Sequence, residues 1–514
     1  VAAVIGGGVI GGGWVARLIQ NGVDVRVFDP DPEAPRKIAA IMENADHALA
    51  RLTMAPPPAR GRLEFASSIA GAVASAERSD RAERSDRAER SDRAERGERA
   101  ERGERAELIV EAVPERLEIK QSVYAEIELA AADDAIISSS TSGIMPSDLQ
   151  AKMERPDRLM VGHPFNPVYL LPLVEMVGGT QTSDETIRRA GDIYRAIGMH
   201  PLHLRKEIEA FVADRFLEAV WREALWLVKD GIATTAEIDD AIRYGFGLRW
   251  AQMGLFETYR VAGGEAGMAH FIAQFGPCLK WPWTKLMDVP ELTDELVEKI
   301  SSQSDAQSGS HSIRELERIR DNNLVAIMQA LKANDWGAGK TLANWEAALY
   351  DAVPAETRSD TTKPLETLRR RVPAEWTDYN GHMNEARYLD CFSHATDMFM
   401  RMCGVDAAYV AAGGSYFTVE THIRHLDEVK AGAELHVTTQ ILAGAGKKLH
   451  LFHRLYEGEG RLLATGEHML LHVDMNSRAS SLPGEAVAAK LAGFVDAHAG
   501  LPTPDGAGRA IGVK

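Results

Sequence analysis

The sequence predicts a multidomain α/β architecture: an N-terminal parallel-sheet domain, an all-α domain, then a C-terminal α+β domain. Three observations lead there. A glycine-rich turn follows an apolar strand at the front of the chain. Beyond residue 209 the apolar residues recur at helical spacing with few strand signals. Past residue 367 one long amphipathic helix precedes several alternating strands. A length of 514 residues is too great for one core, so two or three domains are expected.

In chain order, Val1-Ala2-Ala3-Val4-Ile5 reads as a strand and Gly6-Gly7-Gly8-Val9-Ile10-Gly11 as a tight turn opening a helix. Val25-Arg26-Val27-Phe28-Asp29 is a second strand that ends in a carboxylate. Residues 76–107 interrupt the pattern: Ala-Glu-Arg-Ser-Asp-Arg repeats three times and decays. Its charges nearly balance, with pairs such as Glu77–Arg81 and Glu83–Arg87, and it has no apolar stripe. It reads as a solvated insertion in a surface connection. Strand Leu108-Ile109-Val110 resumes the α/β pattern, which runs to about 205. Residues 206–350 are expected to be helical, on spacings such as Phe211, Val212, Phe216, Val220, Leu225 and Val228. Pro354, Ser359, Asp360 and Pro364 mark a linker over 351–366. The third domain spans 367–480, with a helix at 384–403 and strands including 449–455 and 461–475, and 481–514 form a tail.

Composition narrows the partners. Apolar content of 45% is ordinary for a globular protein, and a net charge of −17 argues against nucleic acid or an anionic membrane. A cationic small molecule suits such a surface. Cys278, Cys391 and Cys403 lack metal-ligand spacing and read as buried small hydrophobes, as in a reducing cytoplasm. No metal is expected. The chain opens in a strand without a basic region or cleavage site, so no targeting segment is expected, and the missing initiator methionine implies a few absent residues. No run of apolar residues is long enough to span a membrane.

Gly6–Gly11 fits G-x-G-x-x-G in the strand-to-helix context that gives the pattern meaning. Gly6 would permit the turn, Gly8 close approach of a pyrophosphate, and Gly11 close packing of helix on strand, with the phosphates at the helix N-terminus. Asp29 would accept hydrogen bonds from a ribose 2′-hydroxyl and repel a 2′-phosphate, so NAD rather than NADP is expected. Downstream, His163 in Gly162-His163-Pro164-Phe165-Asn166-Pro167 is followed by Glu175. A histidine that takes a hydroxyl proton while a nicotinamide takes the hydride is the minimum equipment of an alcohol dehydrogenase.

Gly6–Gly11, Asp29, Glu111-Ala112-Val113-Pro114-Glu115, Ser139-Ser140-Thr141-Ser142, His163–Pro167 and Glu175 together resemble the 3-hydroxyacyl-CoA dehydrogenase family over residues 1 to about 330. The resemblance implies a Rossmann domain followed by a helical one. It makes His163 the general base, Glu175 its orienting carboxylate and Ser142 a donor to the substrate oxygen. Glu115, Lys120 and Asn166 would lie near the nicotinamide half of NAD. One departure matters: where the family has asparagine, this chain reads Phe211-Val212-Ala213-Asp214-Arg215. A carboxylate there suits a cationic substrate, and Phe246 and Trp250 are aromatic candidates for a quaternary ammonium group. The resemblance then points to the branch that oxidises a 3-hydroxy-4-trimethylammonio acid, L-carnitine. Arg249 and Lys285 both remain open as partners for its carboxylate.

Trp376-Thr377-Asp378-Tyr379-Asn380-Gly381-His382-Met383-Asn384 precedes a helix with apolar Tyr388, Phe392, Ala395, Phe399 and Met402, the stripe of a helix wrapped by a sheet. This resembles hotdog-fold acyl-CoA thioesterases over about 367–480. The resemblance implies Asp378 as nucleophile or general base, with backbone N–H groups around Gly381 to Asn384 as an oxyanion site. The bland alternative is that Asp378 only caps the turn. Lys447 and Lys448 could meet coenzyme A phosphates or simply sit on an exposed hairpin. Domains of this kind pair, so a cytoplasmic homodimer is expected. Together the two resemblances imply L-carnitine oxidation joined to hydrolysis of a short acyl-CoA; betainyl-CoA follows from the pathway that the resemblance implies, not from residues. Its rivals are a short-chain 3-hydroxyacyl-CoA dehydrogenase fused to a thioesterase, and a dehydrogenase with a non-catalytic dimerisation or CoA-binding module.

Overall fold

The computed structural model describes residues 1–74, 106–262, 267–275, 284, 291–352, 362–373, 376–458 and 460–509. Most of the charged repeat, the centre of the 351–366 linker, Cys278 and Lys285 lie outside these residues. The chain divides into two compact units: residues 1–48 with 59–345, and residues 49–58 with 346–514.

The first unit is built on an eight-stranded sheet of order β3-β2-β1-β4-β5-β6-β7-β8. Its strands are β1 Ala2–Ile5, β2 Val25–Phe28, β3 Leu63–Phe65, β4 Leu108–Glu111, β5 Ile136–Ser139, β6 Leu159–Pro164, β7 Leu173–Gly178 and β8 His200–Leu204. All neighbouring pairs run parallel except β6 and β7. Strands such as β1 and β4 are apolar on both faces because helices cover both. Trp14, Val15 and Leu18 of the helix Val9–Gln20 and Ala190 and Tyr194 of the helix Asp184–Ala196 pack on one side. Tyr124 and Ile127 of the helix Leu117–Ala130 pack on the other.

Helices follow: Ala213–Lys229, Thr235–Ala241, Gly247–Ala262, Gly267–Phe275, Asp294–Ser308, Ile313–Ala333 and Ala338–Asp351. The last two are tied back to the sheet domain, where Tyr169 donates to Asp321 (2.5 Å) and Trp345 Nε1 to Asn21 (2.7 Å). The expected apolar stripe on Ala213–Lys229 is only half used. Leu225 and Val228 are buried, but Phe216 and Val220 stay exposed.

The second unit has the antiparallel order β10-β13-β12-β11-β9, with β9 Leu365–Arg371, β10 Gly414–His425, β11 Glu434–Ala445, β12 Lys448–Glu457, β13 Arg461–Asp474, and the short β14 Ala479–Ser480 beside β13. The helix Glu385–Met402 lies on one sheet face and buries Tyr388, Phe392, Ala395, Phe399 and Met402, the full stripe read from the sequence. Two apolar clusters flank a buried polar row: Thr367, Thr439, His453, Thr396 and His468. Cys391 and Cys403 are buried and unbridged, and burial pushes both thiols up to about 12.

Candidate functional site

The glycines at the front have separate jobs. Gly6 sits at φ +102°, and a Cβ there would meet Ala112 O at 2.5 Å, so neither the backbone nor the space admits a side chain. A Cβ on Gly11 would lie 1.8 Å from Gly6 O, where helix meets strand. A Cβ on Gly8 would meet nothing within 4 Å. Gly8 thus borders open space at the start of a twelve-residue helix that has no side-chain cap and no acidic residue in its first turn. Unused N–H groups and the helix dipole favour an anion there, and Val9 is exposed beside it. Asp29 is held at the end of β2 by N–H groups of Gly7 (2.5 Å) and Asp31 (2.7 Å). These residues fit the pyrophosphate and ribose of a dinucleotide.

A buried network lies at the ends of β4 and β5. Glu111, fully buried, accepts from Lys120 Nζ (2.8 Å), Tyr124 OH (2.5 Å), Ser139 Oγ (2.7 Å) and Val113 N (2.8 Å). That number of donors compensates a buried carboxylate. Burial and the Glu111 charge hold the Tyr124 phenol well above its usual range. Lys120 also reaches Glu115 (3.3 Å), which accepts from Thr141 Oγ1 and Ser142 N (3.1 Å). Glu115, Lys120 and Ser142 therefore share one cluster, while Asn166 is exposed in the segment after His163. Sequence reasoning gave Glu111 no role of its own. The signal available was a carboxylate ending a wholly apolar strand.

The antiparallel β6–β7 pairing sets His163 directly opposite Glu175. His163 Nδ1 lies 3.0 Å from Glu175 Oε2, with 4% and 0% of the two residues exposed. Glu175 Oε1 accepts from Val212 N (3.1 Å) and Ala213 N (3.0 Å), the uncapped start of the helix Ala213–Lys229. The next residue, Asp214, places Oδ2 3.7 Å from His163 Nε2. Burial, with the nearby Glu175 charge, raises the Asp214 carboxyl above the usual range, and His163 opposes that shift. The rings of Phe165 and Phe211 lie 4.9 and 5.6 Å from the imidazole. This imidazole has a carboxylate at one nitrogen to fix its tautomer and a second carboxylate facing the other.

Phe246 and Trp250 pair with each other at 4.6 Å. Among the described contacts neither ring packs on His163 or Asp214.

In the second unit, half-buried Asp378 accepts from Asn380 N (2.8 Å) through Oδ1, so it does brace the turn. Three of the expected oxyanion donors are engaged within the fold. Gly381 N donates to Asp378 O, Met383 N to Val429 O and Asn384 N to Trp376 O. Antiparallel bridges pair Thr377 with Met383 and His382 with Lys430 around this loop. Lys447 donates to Ser480 Oγ (2.6 Å) on an exposed hairpin. No group of three or more His, Cys, Asp or Glu among the described residues is placed to hold a metal. No helix among them is long and apolar enough to cross a membrane.

The chain is similar to known proteins in both of its parts. Residues 1–208 match the 3-hydroxyacyl-CoA dehydrogenase NAD-binding domain, 211–300 its C-terminal domain, and 372–491 the thioesterase-like superfamily. An L-carnitine dehydrogenase/betainyl-CoA thioesterase of Ruegeria pomeroyi is 59% identical over 99% of both chains. An L-carnitine dehydrogenase of Pseudomonas putida is 48% identical over 66% of this chain and 97% of its own. Among solved structures, 5-formyl-3-hydroxy-2-methylpyridine 4-carboxylic acid 5-dehydrogenase, an NAD-dependent dismutase, covers 64% of this chain and 98% of its own, with 27% identity and a TM-score of 0.51.

Proposed function

The chain belongs to the L-carnitine dehydrogenase/betainyl-CoA thioesterase family, and on that premise we propose that it oxidises L-carnitine to 3-dehydrocarnitine and hydrolyses a short acyl-CoA, betainyl-CoA. The observation that carries the first activity is the His163 imidazole between Glu175 and Asp214. His163 Nε2 takes the carbinol proton, and Glu175 holds the tautomer and stabilises the imidazolium formed. Bound NAD supplies the hydride acceptor. Gly6, Gly7, Gly8, Val9, Ile10, Gly11 and Asp29 hold it, with Glu115, Lys120 and Asn166 toward its nicotinamide half, and Ser142 donates to the substrate oxygen.

The substrate's quaternary nitrogen is bonded to the carbon next to the carbinol. A carboxylate facing the proton-accepting nitrogen is therefore within reach of that cation, which is the support for Asp214 as its partner. Phe246 and Trp250 are the aromatic candidates for the same group. A neutral thioester beside the same carboxylate would gain nothing from it, which disfavours a 3-hydroxyacyl-CoA substrate.

In the second unit Asp378 acts on the thioester as nucleophile or general base. Residues 1–205, 206–350 and 367–480 form the Rossmann, helical and hotdog domains, with a linker at 351–366 and a tail from 481. We place the enzyme in the cytoplasm as a homodimer. The deciding experiment follows NADH formation with L-carnitine, D-carnitine and 3-hydroxybutyryl-CoA in parallel, and thiol release from betainyl-CoA. Oxidation of L-carnitine alone is expected, and Asp378→Asn should abolish only thiol release. Oxidation of the CoA ester alone would overturn the first assignment. Undiminished thiol release by Asp378→Asn would overturn the second.

A further inference from the structure

We propose that the left-handed turn at Ala210–Phe211 is the positioning element of the dehydrogenase site, holding base, orienting carboxylate and Asp214 in one geometry. The inference rests on His163 being the base. Ala210 and Phe211 adopt φ of +57° and +50°, a region that L residues with side chains rarely occupy and keep only where their surroundings impose it. Two consecutive residues in this state are the more unusual because neither is Gly, Asn or Asp.

What imposes the turn is the site itself. The Phe211 side chain is fully buried, with its ring 5.6 Å from that of His163. The following N–H groups, of Val212 and Ala213, both donate to Glu175 Oε1. The helix Ala213–Lys229 has no side-chain cap of its own, so Glu175, reaching from β7, takes the place of one. In return, a carboxylate with no exposure receives two N–H donors at the start of a helix, which compensates its burial. Its other oxygen is then left to His163 Nδ1. The same turn delivers Asp214 to 3.7 Å from Nε2. It also abuts the loop that carries Ser142, since a Cβ on Gly143 would lie 3.9 Å from Ala210 N. If the turn relaxed to a right-handed conformation, the two N–H groups, the Phe211 ring and Asp214 would swing away together.

The test compares Ala210→Val, whose β-branch opposes a left-handed backbone, with Ala210→Gly, which accommodates it, and adds Phe211→Leu. For each variant of the full chain, kcat and KM for L-carnitine, NAD binding and thioester hydrolysis are measured. Ala210→Val is expected to lower kcat by about tenfold to a hundredfold while NAD binding and thioester hydrolysis are kept. KM should change less than kcat, the split that follows when reacting groups are displaced while binding survives. Ala210→Gly should keep kcat within about twofold of the parent. Phe211→Leu, which keeps most of the buried volume, should lower kcat without weakening NAD binding. Parental kcat in Ala210→Val, or equal losses in Ala210→Val and Ala210→Gly, would overturn the proposal. The underlying reading fails separately, if the parent enzyme does not oxidise L-carnitine or if His163→Asn oxidises it as well as the parent.

Discussion

Two buried histidines, one in each unit, differ in what meets their nitrogens, and under the proposed function that difference separates an imidazole that works from one that holds. His163 is 4% exposed and has Glu175 at Nδ1 and Asp214 facing Nε2. His453 has no exposure at all, and both its nitrogens meet hydroxyls: Thr439 at Nδ1 (2.8 Å) and Thr396 at Nε2 (3.0 Å). Another imidazole, His468, lies 4.8 Å away between ring centroids. Burial alone therefore says little about role. Carboxylate partners stabilise an imidazolium and let the ring accept a proton during reaction. Hydroxyl partners satisfy a neutral ring, and burial drives His453 well below the usual histidine range.

The largest effect should come from removing the proposed base. His163→Asn is expected to lower kcat/KM for L-carnitine oxidation by about a thousandfold or more, with thioester hydrolysis unchanged. A loss of less than tenfold would mean that a different base acts, and the contrast between the two histidines would collapse. The second effect is on stability against pH. Burial depresses His468 to about 4, and His453 and His498 are lowered too. A histidine lowered in the fold binds fewer protons than in the unfolded chain. Its contribution is therefore complete above the unfolded value near 6.5 and fades as pH falls toward the folded one. His468 alone corresponds to about 3 kcal/mol. Thermal unfolding of the second unit, followed by loss of thioester hydrolysis, should shift to lower temperature between about pH 6.5 and 4. A flat midpoint over that interval would show that these rings take up protons as readily in the fold as in the unfolded chain.

How far the sequence reached differs along the same line. The dinucleotide turn was legible because its glycines answer local demands: a positive φ at Gly6 and a helix–strand contact at Gly11. The stripe on Glu385–Met402 was legible because one face meets one sheet. His163 and Glu175 were paired through a resemblance, and their facing register on β6 and β7 is a property of strand pairing that spacing does not state. Glu111, the Ala210–Phe211 turn and the Thr–His row across the second core were missed for one reason. Each depends on partners brought together from several elements, as Thr367, Thr439, His453, Thr396 and His468 are from β9, β11, β12, the helix and β13. Periodicity reports which face is apolar, and cannot report which polar residue on that face will find a donor. The bond from Met383 N to Val429 O, which engages one of the expected oxyanion donors, was not legible for the same reason.

Two smaller effects sharpen the contrast. Thr396→Val keeps the shape of the side chain and removes the hydroxyl that meets His453 Nε2 and His468 Nδ1. It should destabilise the second unit by about 1–3 kcal/mol, the cost of leaving a buried polar group unsatisfied, without altering carnitine oxidation. Asp214→Asn tests the first site from its substrate side. The amide keeps size and polarity but loses the charge, so binding of a cation should weaken while the base and its orienting carboxylate stay in place. KM for L-carnitine is expected to rise about tenfold, about 1.4 kcal/mol of lost attraction for a partly exposed carboxylate, with a smaller change in kcat. A fall in kcat at constant KM would instead make Asp214 a partner of the imidazolium formed in the reaction. The His163 site would then be an imidazole served by carboxylates on both nitrogens, further still from the hydroxyl-held ring of His453.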